Sequence, residues 1–200
     1  PISWSNGKTI TLTTTSNLGA WSPNVIENSG AVLTWTAAPN DDFAGQTVIA
    51  NDPIFDFSSN INNLAIDIRV TGSDGFTGLS IMSFYDDSGT ESSITSINPG
   101  EAIALEVLNM KYNQLSDIDI SNNLLMKVFV IRVNQHLAEQ ALITTNNTQL
   151  AFVFADVTGI NSVDFSTNTL LDDVRLYDSR LTSSVLDQIL IDLDNHGLSN

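Results

Sequence analysis

The stretch LEVLNMKYNQL at 105–115, followed directly by SDIDISNN at 116–123, decides the architecture. Leu105, Leu108, Met110, Asn113 and Leu115 fit the repeat pattern L-x-x-L-x-L-x-x-N-x-L. Leu108 and Met110 are two residues apart, so on a strand both point into a core while Asn109 and Lys111 point away from it. Asn113 stands where the strand must bend. Its amide can there bond to backbone groups that the turn leaves unpaired.

The phrase recurs with uneven spacing. Moving 21 residues on, Met126, Phe129, Ile131, Asn134 and Leu137 take the same places. After 23 more come Phe152 and Phe154, with Val157 at the asparagine position. A further 22 gives Leu171, Val174, Leu176 and Leu181, with Ser179 replacing asparagine. Upstream, Leu79, Met82, Phe84 and Asp87 fit, as do Ile66 and Ile68. A second phrase, an apolar residue, Asp, an apolar residue, Ser and then Asn, appears as FDFSSN at 55–60, IDISNN at 118–123 and VDFSTN at 163–168. ITTN at 143–146 is a fainter copy. Two phrases in the same order at nearly the same period predict a solenoid of stacked parallel strands.

These residues resemble the irregular leucine-rich repeats of bacterial surface proteins, especially the Bacteroidetes-like form, with related repeats in phage tail and fibre proteins. The resemblance covers about residues 53–200. It implies a mainly β leucine-rich-repeat solenoid and leaves the ligand open, because this scaffold serves many partners.

Residues 1–52 lack the repeat. KTITLTTT at 8–15 and AVLTWT at 31–36 alternate and are β-branched, so they read as strands. Since a solenoid exposes apolar ends unless capped, 1–52 is predicted to be an N-terminal β cap. Trp4, Trp21 and Trp35 all fall here and are read as cap packing, with sugar platforms as the other use of such rings. At the other end Val185, Leu186, Ile189, Leu190 and Leu193 follow helical spacing. Ser184 and Asp187 suggest a capping box and Gly197 a stop, so a capping helix is predicted near 184–195 over the last repeat's core.

Composition excludes several classes. A formal charge of −16 opposes binding of nucleic acid and of anionic membranes. There is no apolar run of the length a membrane span needs. Cysteine is absent, which removes disulfide and thiol chemistry. Pro1 has no charged and apolar leader before it, and a start left by methionine removal predicts a protein made without export; a trimmed leader is the other reading.

Catalysis finds little footing. His136 and His196 are the two histidines, and no nucleophile elbow, phosphate loop or HExxH occurs. DLDNHG at 192–197 opens like a calcium loop, but the position-12 carboxylate would fall past Asn200, so a helix end is expected there and no metal or cofactor. The pairs Asp41/Asp42, Asp86/Asp87 and Asp172/Asp173 read as solvated turns. TGSDGFTG at 71–78 and DDSGTESS at 86–93 are loops between repeats.

The sharper pattern is on the outward slots of the repeat strands. They hold Arg69, Tyr85, Lys111, Arg132 and Tyr177, with Ala155 between the last two; Tyr112 and Arg175 are adjacent. Four of seven basic residues and all three tyrosines thus fall on one predicted sheet face. Tyrosine offers a flat apolar plane with a hydroxyl, and arginine a fork for carboxylate or sulfate. The plainer use of such side chains is to cover a bare sheet. The expected partners are an extracellular glycan or protein receptor and other subunits of a virion or surface assembly, further copies of this chain included. The expected setting is a virion surface, or alternatively a bacterial cell surface or the extracellular medium. Substituting Arg132 or Tyr112 by Ala is expected to weaken binding with little loss of stability.

Overall fold

The computed structural model describes residues 8–84, 93–137 and 139–197. In chain order the strands are β1 (Ile10–Thr14), β2 (Asn24–Glu27), β3 (Leu33–Ala37), β4 (Gln46–Ile49), β5 (Ile66–Gly72), β6 (Leu79–Ser83) and β7 (Ile94–Asn98). They continue with β8 (Val107–Asn109), β9 (Val128–Val130), β10 (Ala141–Leu142), β11 (Phe152–Phe154), β12 (Ser162–Val163) and β13 (Asp173–Arg175), and one helix follows, α1 (Ser183–Asn195). The chain is mainly β, with a parallel solenoid of about three turns and one C-terminal helix.

Strands β6, β8, β9, β11 and β13 pair in parallel, in that order, and β2 closes the sheet antiparallel to β6. The register lines up Met82, Leu108, Phe129, Val153 and Val174. The first four are fully buried, and Val174 on the last turn is half-buried. Two residues on, Phe84, Met110, Ile131 and Ala155 are buried and Leu176 is half-buried.

One turn departs from the expected spacing. Val153 and Ala155, not Phe152 and Phe154, occupy the core, so the two phenylalanines lie on the outward face. The spacings are therefore 21, 24 and 21 residues. Because side chains alternate, a one-residue slip exchanges the faces of the whole strand. The turn chemistry fixes the true register. Asn134 Nδ2 donates to Ile131 O at 2.9 Å, Thr158 Oγ1 to Ala155 O at 2.7 Å, and Ser179 Oγ to Leu176 O at 2.5 Å. Thr158 thus stands in the asparagine position and can donate a hydrogen bond, as Val157 cannot. The residue just before each of these, and before Asn113, is left-handed: Tyr112, Val133, Val157 and Asp178 have φ between 53° and 57°.

The second phrase builds the opposite side of the solenoid as a ladder of buried asparagines. Asn123 Nδ2 donates to Pro99 O and Ala102 O, Asn147 to Ile120 O and Asn123 O, and Asn168 to Thr144 O and Asn147 O, all at 2.9–3.0 Å. Each amide therefore ties one turn to the turn before it. The fainter copy uses Asn147 rather than Asn146. Asn147→Ala should cost about 1–3 kcal/mol in chemical denaturation, since two buried hydrogen bonds between turns are lost while Ile120 O and Asn123 O keep their backbone donors. A loss below about 0.5 kcal/mol would mean that the turns are held by packing alone.

The antiparallel sheet runs β4-β3-β5-β1-β7 and draws on both sides of residue 52. Ile66 and Ile68, placed in the repeat by sequence, lie in β5 between β1 and β3, antiparallel to both. Alternation explains its inner face: Ile10, Leu12, Leu33, Trp35, Ile66, Ile68 and Val70 are all buried. Trp21 sits among Phe55, Phe57 and Phe84 with centroids 5.6–6.2 Å apart. This aromatic cluster joins the sheet to the first solenoid turn in one continuous core. Trp35 donates its indole N–H to Ala50 O at 3.0 Å, so both described tryptophans are packing residues; Trp4 lies outside the described residues.

Helix α1 starts at Ser183, and its cap is Thr182, whose hydroxyl accepts from Val185 N. Ser184 is therefore inside the helix and the expected capping box is not formed. Val185, Ile189, Asp192 and Leu193 face the protein, while Leu186 and Leu190 are exposed. The apolar stripe that covers the core is thus narrower than the spacing predicts. DLDNHG forms the last helical turn and its end, with Gly197 at φ 79°.

The loop expected at 71–78 begins only after Gly72, where β5 ends, and is held by Asp74, which accepts from Ser29 Oγ at 2.8 Å, Thr77 Oγ1 at 2.5 Å and Phe76 N at 3.0 Å. The Thr77 and Ser29 hydroxyls hold its pKa down to about 2, against an ordinary value of 3.8. A depressed carboxyl pKa contributes stability that is present above the unfolded value and is lost as pH falls through the folded one. The stability difference between the wild type and Asp74→Asn should therefore be constant above about pH 5 and shrink between about pH 4 and pH 2. Urea denaturation at stepped pH checks this; a difference unchanged down to pH 2 would show that the hydroxyls do not favour the carboxylate.

Candidate functional site

The outer face of the parallel sheet is built in rows that the strand register dictates. One row reads Ile81, Val107, Val128, Phe152 and Asp173, and the next Ser83, Asn109, Val130, Phe154 and Arg175. Strands lie about 4.8 Å apart, so each row is a continuous surface. Its centre is apolar, formed by the half-buried Val107, Val128, Phe152 and Phe154 around the buried Val130, with the two phenylalanine rings 6.4 Å apart. The chain continues from each strand into a third row, Lys111, Arg132, Asp156 and Tyr177.

Of the seven residues expected on one face, five come together here. Arg132 Nε bonds to Asp156 Oδ2 at 2.6 Å, and its Nη2 reaches the Tyr177 hydroxyl at 3.4 Å. These contacts raise the Arg132 pKa further, chiefly through the Asp156 hydrogen bond. Lys111 Nζ lies 4.5 Å from the centre of the Tyr112 ring, a cation over an aromatic face. Arg175 pairs with Asp173 at 2.6 Å while its guanidinium carbon lies 4.5 Å from the Phe154 ring centre. Tyr177 is 60% exposed, so its ring is presented to solvent. Tyr85 lies outside the described residues, as do residues 86–92 of the second loop.

Arg69 does not join them. It is in β5, on the outer face of the antiparallel sheet, in a row with Thr47, Thr36, Thr11 and Asn98. That face forms a groove of about 670 Å³ whose lining includes Thr11, Thr13, Thr36, Asp67, Arg69, Ser96, Asn98 and Asp117. Thr13 Oγ1 donates to Asp67 Oδ1 at 2.9 Å within it.

Sequence reasoning missed Asp156, the fully buried partner of Arg132, because the one-residue slip placed Ala155 outward in its stead. It missed Phe152 and Phe154 on this face for the same reason. The available signal was Val157, a residue without a side-chain donor where the turn needs one. The groove gave no sequence signal, since its rows come from strands distant in sequence.

Charge sets the parallel-sheet face apart. Counting the row that leads into the strands, where Lys127 pairs with Glu106 at 2.9 Å, the cations Lys111, Lys127, Arg132 and Arg175 stand among the acids Glu106, Asp156, Asp172, Asp173 and Asp178, so nearly all of the −16 belongs to the rest of the chain. Among the described residues no group of three or more His, Asp or Glu side chains converges as a metal site, and no helix is long and apolar enough to cross a membrane.

Fold and face together define a β-solenoid with one sheet face that carries aromatic and basic side chains at nearly balanced charge. Comparison with protein-family models, curated proteins and solved structures gave no match.

Proposed function

We propose that the chain is a non-enzymatic recognition or structural protein on an irregular leucine-rich-repeat scaffold with an N-terminal β cap. It works at a phage virion surface, as a tail or fibre component that binds a host-surface glycan or protein. One observation carries this reading: Lys111, Tyr112, Arg175 and Tyr177 gather around an apolar strip on a face of nearly balanced charge, on a molecule that is otherwise strongly acidic. Exposed tyrosine and arginine beside apolar area are what a recognition hot spot uses. The resemblance of the repeats to bacterial surface proteins favours a second reading, a cell-surface adhesin or extracellular scaffold subunit with the same face.

The test uses Lys111→Ala with Tyr177→Ala, which removes a cation and an exposed ring from the same row of the face. Binding of labelled protein to intact host cells should fall about tenfold or more, with stability changed by under about 0.5 kcal/mol per site. Unchanged binding would remove this face from recognition. Mass spectrometry of purified particles then separates the two settings: presence in virions fits the first, and recovery from the cell envelope or medium the second.

A further inference from the structure

We propose that the groove over the antiparallel sheet is a second binding site, for a neutral oligosaccharide. It deepens the recognition role proposed above and rests on it only for its biological setting. A volume of about 670 Å³ falls within the ~300–1,000 Å³ typical of small-ligand sites. The wall chemistry narrows the class. A sugar hydroxyl both donates and accepts, so its site must interleave donors with acceptors. Strand register does this here, setting Thr36 and Thr11 on either side of Arg69, with Asn98 next to Thr11. Asp67, two residues along β5 from Arg69, and Asp117 add carboxylates that accept from hydroxyls in strong, charge-assisted bonds.

Other ligands fit less well. Among the described residues, an acidic sugar, a phosphate or a nucleic acid would meet two carboxylates against one guanidinium, on a chain of charge −16. A protein partner would look for aromatic or large apolar anchors, whereas among the described residues the lining has no aromatic side chain, its Leu12, Ile68 and Ile97 are buried, and its outward rows are hydroxyl, amide and charge with Ala38. Threonine suits a hydroxyl-rich ligand for a further reason. Its branched side chain is already restricted on a strand, so little freedom is lost when the ligand docks.

Titration calorimetry on the purified chain tests this with neutral tri- to hexasaccharides of glucose, galactose, mannose and N-acetylglucosamine, against oligogalacturonate and sialyllactose. At least one neutral series should bind saturably. Asp67→Asn, and separately Thr11→Val with Thr36→Val, should weaken it about tenfold or more at unchanged melting temperature; both changes keep side-chain shape. Lys111→Ala with Tyr177→Ala should leave it unaltered, which keeps this result independent of the parallel-sheet face. No binding of any neutral sugar at about 10 mM, a preference for the acidic sugars, or binding that survives both groove variants would overturn the proposal.

Discussion

Phe129→Ala is expected to destabilise the protein by about 3–5 kcal/mol, whereas Phe154→Ala should cost about 1 kcal/mol. The two rings are chemically alike and stand on adjacent strands, with Phe129 opposite Val153 and Phe154 opposite Val130. Phe129 is fully buried between Leu108 and Val153, so truncation leaves a cavity that the stacked strands on both sides cannot easily collapse into. Phe154 points outward, is half-buried, and packs against Phe152 and the Arg175 guanidinium. Chemical denaturation of both variants measures the contrast. Equal large losses would mean that the phenylalanines of β11 are core residues and that the spacing read from sequence was right.

Arg132→Ala should cost about 3–5 kcal/mol, which corrects the expectation of a harmless surface change. The partner carboxylate of Asp156 is fully buried, and its second oxygen, Oδ1, meets no donor among the described residues. Arg132 therefore carries the compensation for that charge. Removing it strands an ionised group in a low-dielectric setting, which is far more costly than the pair itself is stabilising. The double variant Arg132→Ala with Asp156→Ala should recover a large part of the loss, because no buried charge is left behind. The exposed pair Arg175–Asp173 is the contrast: water screens it, and Arg175→Ala should cost under about 1 kcal/mol. A loss below 1 kcal/mol for Arg132→Ala would show that Asp156 finds water or another donor.

Three features were legible from the sequence on physical grounds. The period-2 alternation around Leu108, Met110, Phe129 and Ile131 named the inner face, because a strand offers its side chains two directions only. The recurring asparagines were legible because a solenoid that turns every few residues needs donors for stranded carbonyls, and Asn supplies one with two hydrogens. The C-terminal helix followed from its 3.6-residue spacing and from Gly197.

Tertiary structure alone decided the rest. In FVFA at 152–155 both alternating sets are apolar, so local hydrophobicity favours burying the larger rings; the hydrogen bond from Thr158 to Ala155 O and the fit beside Phe129 place Val153 inside instead. Arg69 matched the outward slot of the repeat, yet β5 pairs antiparallel with β1 and β3, and nothing in five or ten residues tells which strand will be a neighbour. The groove exists for that same reason: Thr11, Thr36, Arg69 and Asn98 meet only because strands far apart in the chain hydrogen-bond side by side. A sequence displays periodicity along the chain, but pairing between distant strands depends on burying the whole core at once, and that decision belongs to the folded molecule.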